Sequence, residues 1–135
     1  MTMPLDDPLR PARTAVHEGR FTDVESALAL LHPDIRRSPE GLLLHAMAAW
    51  RLGEYTRSRA AALEARDGFR ARGDADGEMR AENVAAAGAF AIGDLEAADR
   101  GFTRALELAD ELADDLMTAR CANNLGNVAY YQVGS

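Results

Sequence analysis

Four residues late in the chain, Arg120, Asn123, Asn127 and Tyr130, follow one another at spacings of three, four and three, which sets them on one face of a helix. One repeat earlier, Arg80, Asn83, Ala87 and Phe90 lay out the same face. The chemistry available there is recognition rather than bond-making. A side-chain amide donates and accepts, so it can pair with an extended backbone, and a guanidinium can hold a carboxylate through two parallel hydrogen bonds. That combination suits an extended peptide with an acidic side chain or a free C-terminus. Trp50, Phe90 and Tyr130 would add apolar pockets beside it. Arg80, Asn83, Phe90, Arg120, Asn123, Asn127 and Tyr130 are therefore the expected groove for a protein or peptide partner. The competing assignment is structural: Asn83 and Asn123 bonding backbone or water between adjacent helices, and rings buried in a core. Asn124 lies off the face and is assigned to the side of the neighbouring helix.

No constellation of catalytic or metal-binding type accompanies these residues. His17, His32 and His45 are scattered, without an HExxH pattern or paired cysteines, so no metal and no cofactor is expected. His45 falls on an apolar helix face and reads as a core or groove-edge residue, while His32 precedes Pro33 in a loop. Cys121 has no histidine at a telling spacing and reads as a buried, inert thiol. The stretch RGDADG (72–77) offers oxygen ligands but is too short for a calcium loop and lacks its closing glutamate. It is read as a linker. An enzyme is not expected.

Composition points the same way. All 15 basic residues are arginine against 22 acids, for a net charge of −7. Residues 38–74 carry six arginines and five acids, and 75–135 carry four and eleven. A basic footprint for nucleic acid is missing. The local run Arg57, Arg59, Arg66, Arg70 and Arg72 is interrupted by Glu64 and Asp67 and reads as a solvated helix face. A single cysteine excludes an internal disulfide and fits a reducing compartment. MTMPLDDPLR lacks the apolar core of a signal peptide, and no apolar run reaches membrane-span length. A cytoplasmic protein without membrane association is expected.

The elements that must position the groove residues are helices. Alanine fills 27 of 135 positions, β-branched residues are sparse, and every proline lies in the first forty residues. That composition predicts an all-α fold. Turn signatures recur at Gly19, Gly53 and Gly93, each followed by a charged residue and then an aromatic or leucine, with Gly134 further on. Glycine suits a helix that ends in the left-handed conformation. The shift that lays Arg80 on Arg120 also superposes Asn83 on Asn123, Ala89 on Ala129, Ala86 on Gly126 and Phe90 on Tyr130.

These signals predict helices over 8–18, 22–31, 39–52, 55–72, 77–92, 95–113 and 115–132, about seven in all. Thr22 and Glu25 form a capping box, Ser38 with Pro39 starts one helix, Asp94 caps another, and 32–39 is a loop. The units are then 8–32, 38–72, 77–113 and a half unit 115–132. Small residues three apart, Ala46 and Ala49, Ala86 and Ala89, Gly126 and Ala129, allow close helix approach. Ala98, Phe102 and Ala105 form the facing stripe. Hairpins of this kind must stack to bury their apolar faces.

ANNLGNVAYYQ and AIGDLEAADRGFTRALELA resemble the tetratricopeptide repeat family. Leu125-Gly126 matches its first-helix motif, Gly93-Asp94-Leu95 its turn, and Ala98, Phe102 and Ala105 its second helix. Leu42, Ala46, Ala49, Gly53 and Tyr55 carry the pattern more weakly, and Ala12, Ala15, Gly19 and Phe21 more weakly still, beside the departures Pro8 and Pro11. In the last unit Ala129 stands where the motif has an aromatic, and Val133 where it has the turn glycine. The spacing from Gly53 to Gly93 is longer than the family's usual repeat and resembles the variety found in bacterial sensory and regulatory proteins. The resemblance implies a right-handed α-solenoid of antiparallel helix hairpins, whose first helices line a concave groove for peptides or partner proteins, without catalysis.

The helix 115–132 has no hairpin partner within the sequence, so the stripe Ala122, Leu125, Val128 and Ala129 is expected to lose cover. Truncation of a longer array accounts for this best, and a homodimer through 115–132 would follow from it. Fraying is the third account. The function expected is a binding scaffold or sensor module of a bacterial regulatory protein. The alternatives are a self-association module or an accessory domain of a larger enzyme or transcriptional regulator.

Overall fold

A computed structural model of the protein describes residues 7–133. Eight helices occupy them, with no strand among the described residues: α1 (Arg10–His17), α2 (Phe21–Ala29), α3 (Pro33–Arg36), α4 (Pro39–Arg51), α5 (Tyr55–Ala71), α6 (Ala75–Ala91), α7 (Leu95–Glu111) and α8 (Asp115–Val133). The fold is an all-α array of helix hairpins. The helix beyond the seven expected is α3, a single turn inside the segment read as a loop. Pro33 opens it, and His32 Nδ1 accepts a 3.1 Å hydrogen bond from the Asp34 amide.

One turn is used five times. Gly19, Gly53, Gly73 and Gly93 have φ of 76, 80, 71 and 87°, and Ala113 stands in the same left-handed region at 54°. After each, the next amide reaches back five residues to close the helix. Arg20 and Glu54 donate to the Ala15 and Ala49 carbonyls at 2.8 Å, and Asp74, Asp94 and Asp114 to those of Phe69, Ala89 and Ala109 at 2.9 Å. Gly73 thus does between hairpins what Gly53 does within one. RGDADG is this same turn rather than a looser linker, and α6 starts at Ala75 instead of 77. From Gly53 onward the turns are evenly spaced, at positions 53, 73, 93 and 113.

Three aspartates then cap the following helices. Asp74 accepts from the Gly77 amide at 2.9 Å, Asp94 from Ala97 at 3.2 Å and Asp114 from Met117 at 3.1 Å. The backbone hydrogen bond from Ala97 is the largest influence holding the Asp94 carboxyl below the usual range, ahead of the hydrogen bond from Arg59. Ser38 caps α4 as expected, accepting from the Gly41 amide at 3.2 Å. The Thr22 capping box is corrected: the turn at Gly19 starts α2 at Phe21, the capping position falls on Arg20, and no side chain caps it. Glu25 instead lies 2.5 Å from His45 Nδ1 on α4.

From α3 onward each helix packs on the next along the chain, as α1 does on α2. Helix α4 also lies against α1, α2 and α6, so first helices of successive hairpins touch. Ala46, Ala49, Ala86 and Ala89 are buried, as are Ala98, Phe102 and Ala105 on the facing stripe. Small residues bring the axes close and Phe102 fills the space beside Ala86 and Val128. The second helices are tied in by polar contacts. Buried Ser58 donates to the Ala46 carbonyl at 2.6 Å. Buried Glu78 takes Arg70 at 3.1 Å and Arg104 at 3.5 Å, and buried Glu82 takes Arg66 at 3.1 Å. Part of the run read as a solvated arginine face is therefore a ladder joining α5, α6 and α7.

On α8 the inward residues are Met117, Cys121 and Val128, all buried, and Leu125, half-buried. Of the stripe expected to lose cover, only Ala122 and Ala129 are exposed. Exposed apolar surface collects instead at Leu116, Tyr130, Tyr131 and Val133.

Candidate binding groove

A cavity of about 520 Å³ lies where α1, the start of α2, α4, α6 and α8 come alongside one another. Its apolar wall is Val16 at the end of α1, Phe21 just past the Gly19 turn, Met47 and Trp50 on α4, and Val84 and Ala87 on α6. Its polar groups are Arg51, Asn83, Arg120 and Asn124. The helical register explains the set. Met47 and Ala87 are related by the same shift that takes Arg80 to Arg120, as are Val84 and Asn124. Equivalent positions of successive first helices therefore open onto one space.

Trp50 packs edge-on against Tyr55, with ring centroids 6.0 Å apart, and its buried Nε1 has no hydrogen-bond partner among the described residues. The Arg51 guanidinium lies 5.3 Å from the centre of the Phe21 ring. Asn124 donates its side-chain amide to Asn83 Oδ1 at 3.2 Å, bridging α8 to α6, and the Cys121 thiol lies 3.9 Å from the same oxygen. Burial, with Asp114 nearby, pushes the Cys121 thiol above its ordinary value. An inert thiol packed under the groove wall is what this produces.

Of the seven residues expected to form the groove, Asn83 and Arg120 line this cavity. Asn83 does so while accepting from the Asn124 side chain of α8, a partner other than the backbone or water of the competing assignment. Arg80 opens onto an adjoining space of about 480 Å³ that shares Val16 and Met47, and its Nε donates to Asp76 at 2.9 Å. Phe90 is half-buried and meets Tyr131 edge-on at 5.4 Å, and Tyr131 meets Tyr130 at 5.5 Å. Asn123, Asn127 and Tyr130 are exposed and do not line the cavity. The repeat shift pairs Asn123 with Asn83, but Asn83 has α8 beside it and Asn123 has solvent.

The sequence reading did not place Val16, Phe21, Met47, Arg51, Val84 or Asn124 in the groove. For three of these the signal was present, since 47 with 87 and 84 with 124 are linked by the same shift that superposes Arg80 on Arg120. Asn124 was assigned to the side of the neighbouring helix rather than to the groove, and it does bond Asn83 on α6. Arg51 had no counterpart to mark it.

The histidines do not join this site. His17 and His32 are exposed and His45 faces Glu25. Among the described residues no group of three His, Cys, Asp or Glu is placed to hold a metal ion, and no helix is long and apolar enough to cross a membrane. No family model matches the chain, and neither a curated protein nor a solved structure matches it.

Proposed function

We propose that this chain is a non-catalytic binding module of the tetratricopeptide-repeat kind. It would be a cytoplasmic scaffold or sensor segment of a bacterial regulatory protein, taking an extended peptide or partner segment along the wall built by α1, α4, α6 and α8. The observation that carries this reading is one cavity lined by three successive hairpins and α8, apolar along its wall with amides and arginines at its edges. Such a mixture of apolar surface with a few polar groups is how extended segments are held and oriented.

Trp50 is the only tryptophan and sits in the wall, so its emission reports the site directly. A peptide library screened by Trp50 fluorescence should give hits that weaken in Met47→Asp. A library in which no peptide moves Trp50 emission, or hits that survive Met47→Asp, would refute the groove assignment.

A second reading, self-association, is favoured by the exposed apolar side chains on α8, where Leu116 is 63% exposed, Tyr130 74% and Val133 87%. Light scattering over a concentration series tests it. A strict monomer at the highest concentration removes it.

A further inference from the structure

Resting on the peptide-binding reading above, we propose that the segment this groove takes is acidic: an aspartate or glutamate beside a bulky apolar residue, its carboxylate held by Arg51 and Arg120. In a chain of net charge −7, arginines elsewhere on the helices are largely spent on internal carboxylates, such as Arg59 on Asp94, Arg66 on Glu82 and Arg80 on Asp76. Arg51 and Arg120 are not. Neither has an ion-pair partner among the described residues, and both line the cavity between α4 and α8. Arg36, Arg37 and Arg100 also lack an ion pair among the described residues, but each lines a cavity that holds a carboxylate.

No carboxylate lines that cavity. Three other cavities among the described residues each set acids beside their arginines: Glu82 in one, Glu25 in another, and Glu40, Asp74 and Asp76 in the one adjoining the groove. The groove is therefore a local positive site on an acidic molecule, and its charge has no internal counterpart.

The Arg51 contact with Phe21 bears on how that charge is presented. A guanidinium against a ring face is oriented by the ring quadrupole without being neutralised, and its in-plane N–H groups stay available for a carboxylate. Phe21, Trp50, Met47 and Val84 lie in the same wall, so an apolar side chain next to the acidic one would be covered as its neighbour is paired. The Asn124 amide, partly committed to Asn83, adds a polar group at the α8 side.

The experiment uses end-capped peptides in matched pairs that differ only in Glu against Gln next to Phe, titrated against the whole chain with Trp50 emission as readout. The Glu peptide should bind roughly tenfold or more tightly than its Gln twin, an advantage that shrinks as salt approaches about 0.5 M. The double variant Arg51→Gln/Arg120→Gln should erase that advantage, and Arg120→Gln alone should reduce it. The latter removes an exposed side chain with no internal partner and so leaves folding intact. Arg100→Gln, in a separate cavity, should leave the advantage unchanged. Twins that bind equally, or an advantage that survives the double variant, would overturn the charge assignment and leave the peptide reading standing. If no peptide moves Trp50 while the small anion anilinonaphthalene sulfonate does, both fall together and the groove is a small-molecule site.

Discussion

Ala113 is the one turn residue of the series that is not glycine. It sits at φ 54°, in the region that Gly19, Gly53, Gly73 and Gly93 occupy, and its turn closes with the same 2.9 Å bond from Asp114 to the Ala109 carbonyl. An L-residue there brings its Cβ against the neighbouring carbonyl, at a cost of about 1–2 kcal/mol. Ala113→Gly removes that cost but adds freedom to the unfolded chain, which takes back about 0.4–1 kcal/mol. The net expectation is a gain of about 0.5–1 kcal/mol. With an unfolding entropy of about 2.1 cal/mol/K per residue, this chain should melt about 2–4 °C higher. Differential scanning calorimetry reads this directly. Gly93→Ala, at φ 87°, is the mirror experiment and should lower the melting temperature. If Ala113→Gly fails to raise it while Gly93→Ala leaves it unmoved, the five turns do not share one conformational demand and the reasoning fails.

Other substitutions test the packing and the ladder. Gly77→Ala would bring a Cβ to 2.2 Å from Cδ1 of the buried Phe69 ring, so it should destabilise by about 1–3 kcal/mol despite better helix propensity. Gly126→Ala meets nothing within 4 Å and should stabilise by about 0.5–1 kcal/mol; urea melts of the two should move in opposite directions. Glu78→Gln leaves Arg70 and Arg104 without their shared carboxylate; because both arginines are substantially exposed, the loss should be about 1–2 kcal/mol in a urea melt and smaller at high salt. The hydrogen bond from Arg72 is the main influence drawing the Glu40 carboxyl below its usual value of 4.5. Its stabilisation is therefore complete above that value and lost as pH falls through the lowered folded one. Glu40→Gln should flatten this acid limb of the stability profile, and an unchanged limb would refute the assignment.

Much of this architecture is legible in the sequence, and the gaps have physical causes. Gly19, Gly53 and Gly93 announce themselves because an aromatic or leucine follows two places on and docks the next helix. Gly73 has Ala75 there, so RGDADG looks like a spacer. Ala113 carries no glycine signal at all, and only Asp114, the cap of α8, marks the turn. The missed half-period has that origin. The ladder of Arg66 and Arg70 on Glu82 and Glu78 was invisible because it depends on the antiparallel register of α5 and α6, which the length of their connection sets. In the groove, the repeat shift equated Asn123 with Asn83 correctly as positions. What differs is the neighbour: among the described residues α8 lies beside Asn83, while Asn123 is exposed.

Because the helices from α4 onward lean chiefly on those next to them in sequence, a load applied to the two ends of the chain would not be shared across the molecule. It would fall on the outermost helix alone. With turns at 53, 73, 93 and 113, each release would free one helix and its connection, about 70 Å of extended chain at roughly 3.5 Å per residue. Under tension the molecule is a spring that lengthens in near-equal clicks, and a cavity lined from α1 to α8 would lose a wall when α8 is released.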